Sequence, residues 1–100
     1  MENIRLSKKY LTLIKALALK YFDSGDVRIF GSRTDVTQKG GDIDIYIKTK
    51  KYKNILQSKL SFLREFEKKM GQQNVDLIIE YKGVKEKNIY REAKRNGIII

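Results

Sequence analysis

The sequence predicts a small mixed β-sheet flanked by helices, which is a fold of the α/β (α+β) class. Two long segments carry apolar side chains at helical spacing, and three short apolar runs lie between and after them. Strands mixed with covering helices form one layered structure around one core. One hundred residues with 41% hydrophobic content suit one modest core, so we expect a single domain over residues 1–100.

The two long segments are predicted to be amphipathic helices. The first covers residues 4–22, and we expect Gly25 to end it. The second covers residues 52–70, and Gly71 follows it directly. The predicted core-facing positions are Tyr10, Ile14, Leu17 and Tyr21 in the first helix and Leu56, Leu60, Leu63, Phe66 and Met70 in the second.

The last part of the chain predicts a third, shorter helix over residues 85–94. Asn96 and Gly97 are expected to cap its end. The apolar tail 98–100 then forms an edge strand or packs on the core.

The three short runs, at residues 27–30, 42–48 and 75–80, are predicted to be strands. Side chains alternate between the two faces of a strand. In the second run one face carries Ile43, Ile45 and Ile47, and the other carries Asp42, Asp44 and Tyr46. In the third run one face carries Val75, Leu77 and Ile79, and the other carries Asp76, Ile78 and Glu80.

Three carboxylates on these strands predict a metal site. Asp42 and Asp44 share a face, about 6.5–7 Å apart by strand rise. At about 4 Å and an effective dielectric near 20, two such charges repel by roughly 4 kcal/mol, which a bound divalent cation removes. Asp76 offers a third carboxylate from the next strand. A site of oxygen ligands suits Mg²⁺ or Mn²⁺.

A Gly-Ser turn after the first strand predicts a phosphate-binding loop. Gly31 allows close approach of the backbone to a ligand, and Ser32 offers a hydroxyl and an N–H. If a short helix covers residues 33–37, its N-terminus favours phosphate. Arg33 is either a bidentate phosphate contact or a surface charge.

Composition narrows the chemistry further. The chain has no His and no Cys, which excludes serine-triad, zinc-hydrolase and cysteine-protease sites. The net charge of +10 indicates either an anionic partner or a lysine-rich surface without further meaning. Residues 1–5 carry charge early and lack a continuous apolar stretch, so we expect no signal peptide and a cytoplasmic protein.

Three motifs resemble those of the nucleotidyltransferase superfamily (polymerase-β-like). They are Phe30-Gly31-Ser32-Arg33, Asp42-Ile43-Asp44-Ile45 and Val75-Asp76-Leu77-Ile78. The chain is most similar to the minimal nucleotidyltransferase branch, whose members are commonly antitoxins paired with HEPN-domain toxins. Segment 89–93, which contains Arg-Glu-Ala, resembles the last helix of that family.

The resemblance implies a palm fold and a two-metal reaction. Two Mg²⁺ ions would bridge the carboxylates and a nucleoside triphosphate, an acceptor hydroxyl would attack the α-phosphate, and pyrophosphate would leave. Carried over to this chain, Gly31 and Ser32 hold the triphosphate, and Asp42, Asp44 and Asp76 bind metal, with Asp76 also a proton acceptor. The expected reaction is transfer of AMP from ATP to a tyrosine of a cognate HEPN toxin.

Two other functions remain open at this point. The chain is an antitoxin or interaction module that neutralises a toxin by binding alone, or it is an RNA-binding or RNA-modifying protein. The net charge supports the second of these, and residues 48–53 contain the densest basic patch. The simpler interpretation is that these basic residues are ordinary solvent-exposed residues at the start of the second helix.

Overall fold

The computed structural model describes residues 7–30, 43–72 and 74–100, which form a four-stranded sheet with three helices. This confirms the predicted α+β class. In chain order the elements are α1 (Lys8–Phe22), β1 (Asp26–Phe30), β2 (Ile43–Lys48), α2 (Ile55–Met70), β3 (Val75–Glu80), α3 (Asn88–Asn96) and β4 (Ile98–Ile99). No helix in the described ranges is both long and apolar enough to cross a membrane.

The sheet has the strand order β3-β2-β1-β4 and mixes both strand directions. β1 runs antiparallel to β2 and to β4, while β2 and β3 are parallel. The predicted tail at residues 98–100 therefore forms an edge strand at Ile98–Ile99, and Ile100 packs against the core. β1 ends, and β2 and β3 begin, at the same edge of the sheet, which is an edge formed by strand ends and not by a strand.

One face of the sheet forms the main core with α1 and α2. Ile43, Ile45 and Ile47 are fully buried on this face, as the alternation predicted. Helix α1 contributes Ile14 and Leu17 to the same cluster. Burial of these aliphatic side chains is the main favourable term in the folding of the chain.

The opposite face of the sheet is covered in part by α3. Phe30 and Tyr46 pack there with Tyr90 and Ala93 of the helix in a second, smaller cluster. The rings of Tyr46 and Tyr90 lie 6.3 Å apart in a tilted arrangement. Side chains two residues apart on a strand share a face. Helix α3 therefore packs on the same face of the sheet that carries Asp44 and Asp76.

The predicted core stripe of α2 is partly wrong. Leu56 and Leu60 are 66% and 49% exposed, whereas Ser58, Phe62 and Phe66 are buried. The apolar residues of this helix occupy two neighbouring arcs, and spacing alone does not select between them. The arc with the two phenylalanines buries more surface, and the ring of Phe62 packs 6.4 Å from that of Phe22.

The first helix ends at Phe22, as predicted, but its cap differs from the prediction. Asp23, in the left-handed conformation at φ 50°, is the C-cap in place of Gly25. The Thr49 hydroxyl donates to the carbonyl of Phe22 at 2.6 Å, and this contact satisfies one of the last acceptors of the helix. An aspartate tolerates the left-handed conformation, so no glycine is needed at that position.

The other two helices begin three residues later than predicted, at Ile55 and Asn88. Asn54 adopts a left-handed conformation at φ 56°, and the chain before it is held by the loop that follows β3, because the Lys82 N–H donates to the Lys51 carbonyl. In the third helix the exposed segment 85–87 has no packing face, and burial begins only at Ile89 and Tyr90. Gly71 ends α2 at φ 81°, as predicted, and Gly97 caps α3.

Candidate functional site

The candidate site lies at the edge of the sheet where β2 and β3 begin. Asp44 and Asp76 are register partners on these two parallel strands. Neighbouring strands lie about 4.8 Å apart, and register partners share a face, so the two carboxylates belong to one small surface. Asp44 is half-buried and Asp76 is exposed, which leaves this surface open to solvent on the β3 side.

A third side chain extends this row across the sheet. Phe30, the last residue of β1, pairs with Asp44 on the side opposite to Asp76. Phe30 is buried against α3, so it forms an apolar wall next to Asp44. Three side chains on neighbouring strands therefore lie side by side along one border of the candidate site: Phe30, Asp44 and Asp76.

Four of the predicted site residues lie outside the described part of the chain. They are Gly31, Ser32, Arg33 and Asp42. The described residues that flank this segment are Phe30 and Ile43, and both lie at the same edge of the sheet as Asp76. The roles assigned to these four residues stay predictions.

The described carboxylates suit a hard divalent cation. Asp44 and Asp76 offer only oxygen donors, which Mg²⁺ and Mn²⁺ prefer. Within the described ranges no group of three or more acidic, histidine or cysteine side chains is placed to hold a metal ion. Two of the three predicted ligands, Asp44 and Asp76, lie together on paired strands. The third, Asp42, precedes β2 in the sequence.

Rigid strands hold both carboxylates. Ile43 and Ile45, which flank Asp44, are fully buried on the opposite face, and Leu77 after Asp76 is 1% exposed. Backbone pairing adds to this, because the Ile43 N–H donates to the carbonyl of Asn74 at 2.8 Å. Side chains on well-packed strands keep a fixed separation, as a metal or substrate site requires.

A polar network on the same face was not predicted from the sequence. The Tyr46 hydroxyl donates to Oε1 of Glu80 at 2.5 Å, and Nζ of Lys94 lies 3.5 Å from the same oxygen. Burial, followed by the hydrogen bond to Glu80, raises the pKa of Tyr46 well above its ordinary value. Tyr46 and Glu80 each lie on the polar face predicted for their own strand, but only the strand order brings the two side chains together.

Arg28 joins β1 to the end of α3 in this network. Its Nη1 donates to the Lys94 carbonyl at 2.9 Å, close to the C-terminus of the helix. Its Nε lies 3.6 Å from a carboxylate oxygen of Asp26, which is an ion-pair distance and not a hydrogen bond. A cation at a helix C-terminus is favourable, so Arg28 helps to seat α3 over Tyr46.

Comparison with known proteins connects this geometry to a family. The family model described as "Nucleotidyltransferase domain" matches residues 10–100. That range includes all four strands and every predicted site residue. A search of curated proteins finds no match for the chain.

Proposed function

The chain belongs to the nucleotidyltransferase domain family, and on that premise we propose that it transfers AMP from ATP to a hydroxyl group of a partner protein. The family supports nucleotidyl transfer from a nucleoside triphosphate in general. The observation that carries the proposal is the pairing of Asp44 with Asp76 at one edge of the sheet. We further propose that the acceptor is a tyrosine of a cognate HEPN toxin and that the chain acts as its antitoxin, as a single domain over residues 1–100.

The proposed roles follow from residue chemistry. Asp44, Asp76 and Asp42 would hold Mg²⁺, which when bound offsets the negative charge of the triphosphate. Gly31 and Ser32 are assigned to the triphosphate. Family members generally use divalent metal ions, in agreement with the oxygen donors at this edge.

The proposed reaction is an in-line displacement at the α-phosphorus. The oxygen of the acceptor hydroxyl forms a bond to that phosphorus, and the bond to the bridging oxygen of the β-phosphate breaks, so pyrophosphate leaves. The proton of the hydroxyl passes to the carboxylate of Asp76, which is exposed and can reach an acceptor outside the sheet. Asp44, which is less exposed, is assigned to metal binding alone.

A partner protein as the acceptor is supported by the surface of α2. Leu56 and Leu60 are four residues apart, so they lie on one side of the helix, and both are exposed. A partner that covers this side of the helix would remove the apolar surface of both leucines from water, which favours association. This observation also favours the second candidate, an antitoxin that acts by binding alone.

The test of transfer uses α-labelled ATP, Mg²⁺ and the HEPN-domain protein expected from the neighbouring reading frame. Asp44→Asn and Asp76→Asn should each lower transfer of label by at least about a hundredfold, because they remove charge at the metal site. Asp23→Asn is the matched control. It removes the same charge from an exposed cap residue at the opposite end of β1 and should leave transfer unchanged. Undiminished transfer by both site variants would refute the assignment.

A neutralisation assay separates the two candidate functions. The Asp42→Asn, Asp44→Asn double variant should fail to protect cells from the toxin if transfer is the mechanism. Full protection by this variant, with its binding to the toxin intact, would establish neutralisation by binding alone.

A further inference from the structure

Two loops meet at the end of the sheet opposite to the candidate site. One loop, residues 49–54, follows β2, and the other, residues 81–87, follows β3. The Thr49 N–H donates to the Glu80 carbonyl at 2.9 Å, and the Lys82 N–H donates to the Lys51 carbonyl at 3.1 Å. The two loops therefore form one continuous surface, although about thirty residues separate them in sequence.

This surface is strongly basic. The end of β2 and the two loops carry six exposed lysines, Lys48, Lys50, Lys53, Lys82, Lys85 and Lys87. The only carboxylate within residues 81–87 is Glu86, and its Oε2 accepts from Nε of Arg91 at 2.5 Å. Most of the local positive charge is therefore not neutralised by acidic side chains of the same loops.

An exposed aromatic ring lies among these lysines. Tyr52 is 59% exposed. Nζ of Lys53 and Nζ of Lys82 lie 5.6 and 5.8 Å from the centre of its ring, within the range of cation–π attraction. Each of the two loops thus places one ammonium group against the same exposed ring.

Two carboxylates border this surface on one side. Asp23 and Asp26 line a hollow of about 800 Å³ together with Lys48 and Lys50. Asp26 also lies 3.6 Å from Arg28, so part of its charge is directed away from the lysines. The two carboxylates therefore offset part of the positive charge of Lys48 and Lys50.

We propose that Tyr52 and the six exposed lysines, together named the lysine–tyrosine surface, bind single-stranded nucleic acid. Ammonium groups attract the phosphates, and an exposed aromatic ring offers a face on which a base stacks. An acidic peptide would use the lysines but has no base to stack on the ring, so the position of Tyr52 favours nucleic acid. The net charge of +10 supports association with a polyanion.

The lysine–tyrosine surface is distinct from the proposed transfer site. Asp44 and Lys48 are at opposite ends of β2, about 13 Å apart by strand rise. The inference is independent of the proposed transfer reaction, and each is tested without the other.

The test is fluorescence anisotropy with a labelled single-stranded oligouridylate of about 12 nucleotides. Tyr52→Ala should weaken binding by about tenfold through loss of stacking. Tyr52→Phe should bind as tightly as the unmodified chain, because it keeps the ring. Lys53→Gln with Lys82→Gln should flatten the slope of log K against log salt by about 1.4, at about 0.7 for each lost phosphate contact. All these side chains are exposed, so the variants should fold normally.

The matched control is Lys15→Gln with Lys68→Gln, which removes the same charge from exposed positions on α1 and α2. The control pair should keep most of the binding. Equal loss in both pairs, or no effect of Tyr52→Ala, would overturn the proposal and indicate attraction by net charge alone. Equal competition by polyglutamate would also overturn it, since a polypeptide polyanion cannot stack on Tyr52.

Discussion

Tyr46→Phe tests the polar network that supports the site face of the sheet. The Tyr46 residue has no solvent-exposed surface, and its hydroxyl donates to Glu80 at 2.5 Å. A hydrogen bond to a charged group contributes about 1.5–3 kcal/mol. In the variant, the carboxylate of Glu80 still has Nζ of Lys94 at 3.5 Å as a partner. The lower part of this range therefore applies. We expect a loss of about 1.5–2 kcal/mol in the free energy of unfolding.

The loss is measured by urea unfolding followed by circular dichroism. The midpoint should fall while the denaturant slope stays the same, because the variant exposes no more surface on unfolding. For a chain of this length the melting temperature should fall by about 6–16 °C. Tyr52→Phe is the matched control, since its ring is 59% exposed and loss of its hydroxyl should leave stability unchanged.

Nucleotidyl transfer by Tyr46→Phe should stay near that of the unmodified chain below the melting temperature. The reason is that the hydroxyl binds Glu80, which lies at the other end of β3 from Asp76. A variant with unchanged stability would refute the assigned hydrogen bond. A variant with normal stability and lost transfer would show that Tyr46 acts in the reaction instead.

Three further predictions concern stability. Hydrogen bonds from Tyr21 and then from its other partners lower the pKa of Glu65 to about 2, so Glu65 stabilises the fold above pH 4.5 and this contribution is lost as the pH falls towards 2. Tyr21→Phe should therefore cost most stability at pH 7 and least near pH 2.5, as measured by urea unfolding at both values. Phe62→Ala removes a fully buried ring and should cost about 3–5 kcal/mol by the same assay. Gly71→Ala places a side chain at φ 81° and should cost about 1–3 kcal/mol, whereas Gly25→Ala, with no atom within 4 Å of the added carbon, should change stability by less than about 0.5 kcal/mol.

The strands were predicted well because their signal is local. Residues 75–80 were predicted as a strand and form β3 with the same bounds. Strict alternation placed Ile43, Ile45 and Ile47 on the core face, and a shift of one residue would have buried Asp44 in their place. The pairing of Asp44 with Asp76 required the strand order, which the spacing of the motifs alone did not provide.

The helices were predicted less well because their starts, caps and buried faces depend on partners distant in sequence. At the end of α1 the carbonyl of Phe22 accepts a hydrogen bond from Thr49, which lies 27 residues away. The exposure of Leu56 and Leu60 depends on which arc of α2 meets α1, and Phe62 determines that choice by packing on Phe22. The hydrogen bond of Tyr46 with Glu80 joins two strands and leaves no local trace in either one.

Label transfer from ATP, with the label in either the α- or the γ-phosphate, tests the central claim most directly. Our account predicts that α-label, but not γ-label, becomes attached to the partner protein in the presence of Mg²⁺. It also predicts that Asp44→Asn abolishes this transfer while the melting temperature stays within a few degrees of that of the unmodified chain, since Asp44 is only half-buried. Attachment of γ-label, or undiminished transfer of α-label by both Asp44→Asn and Asp76→Asn, would contradict it.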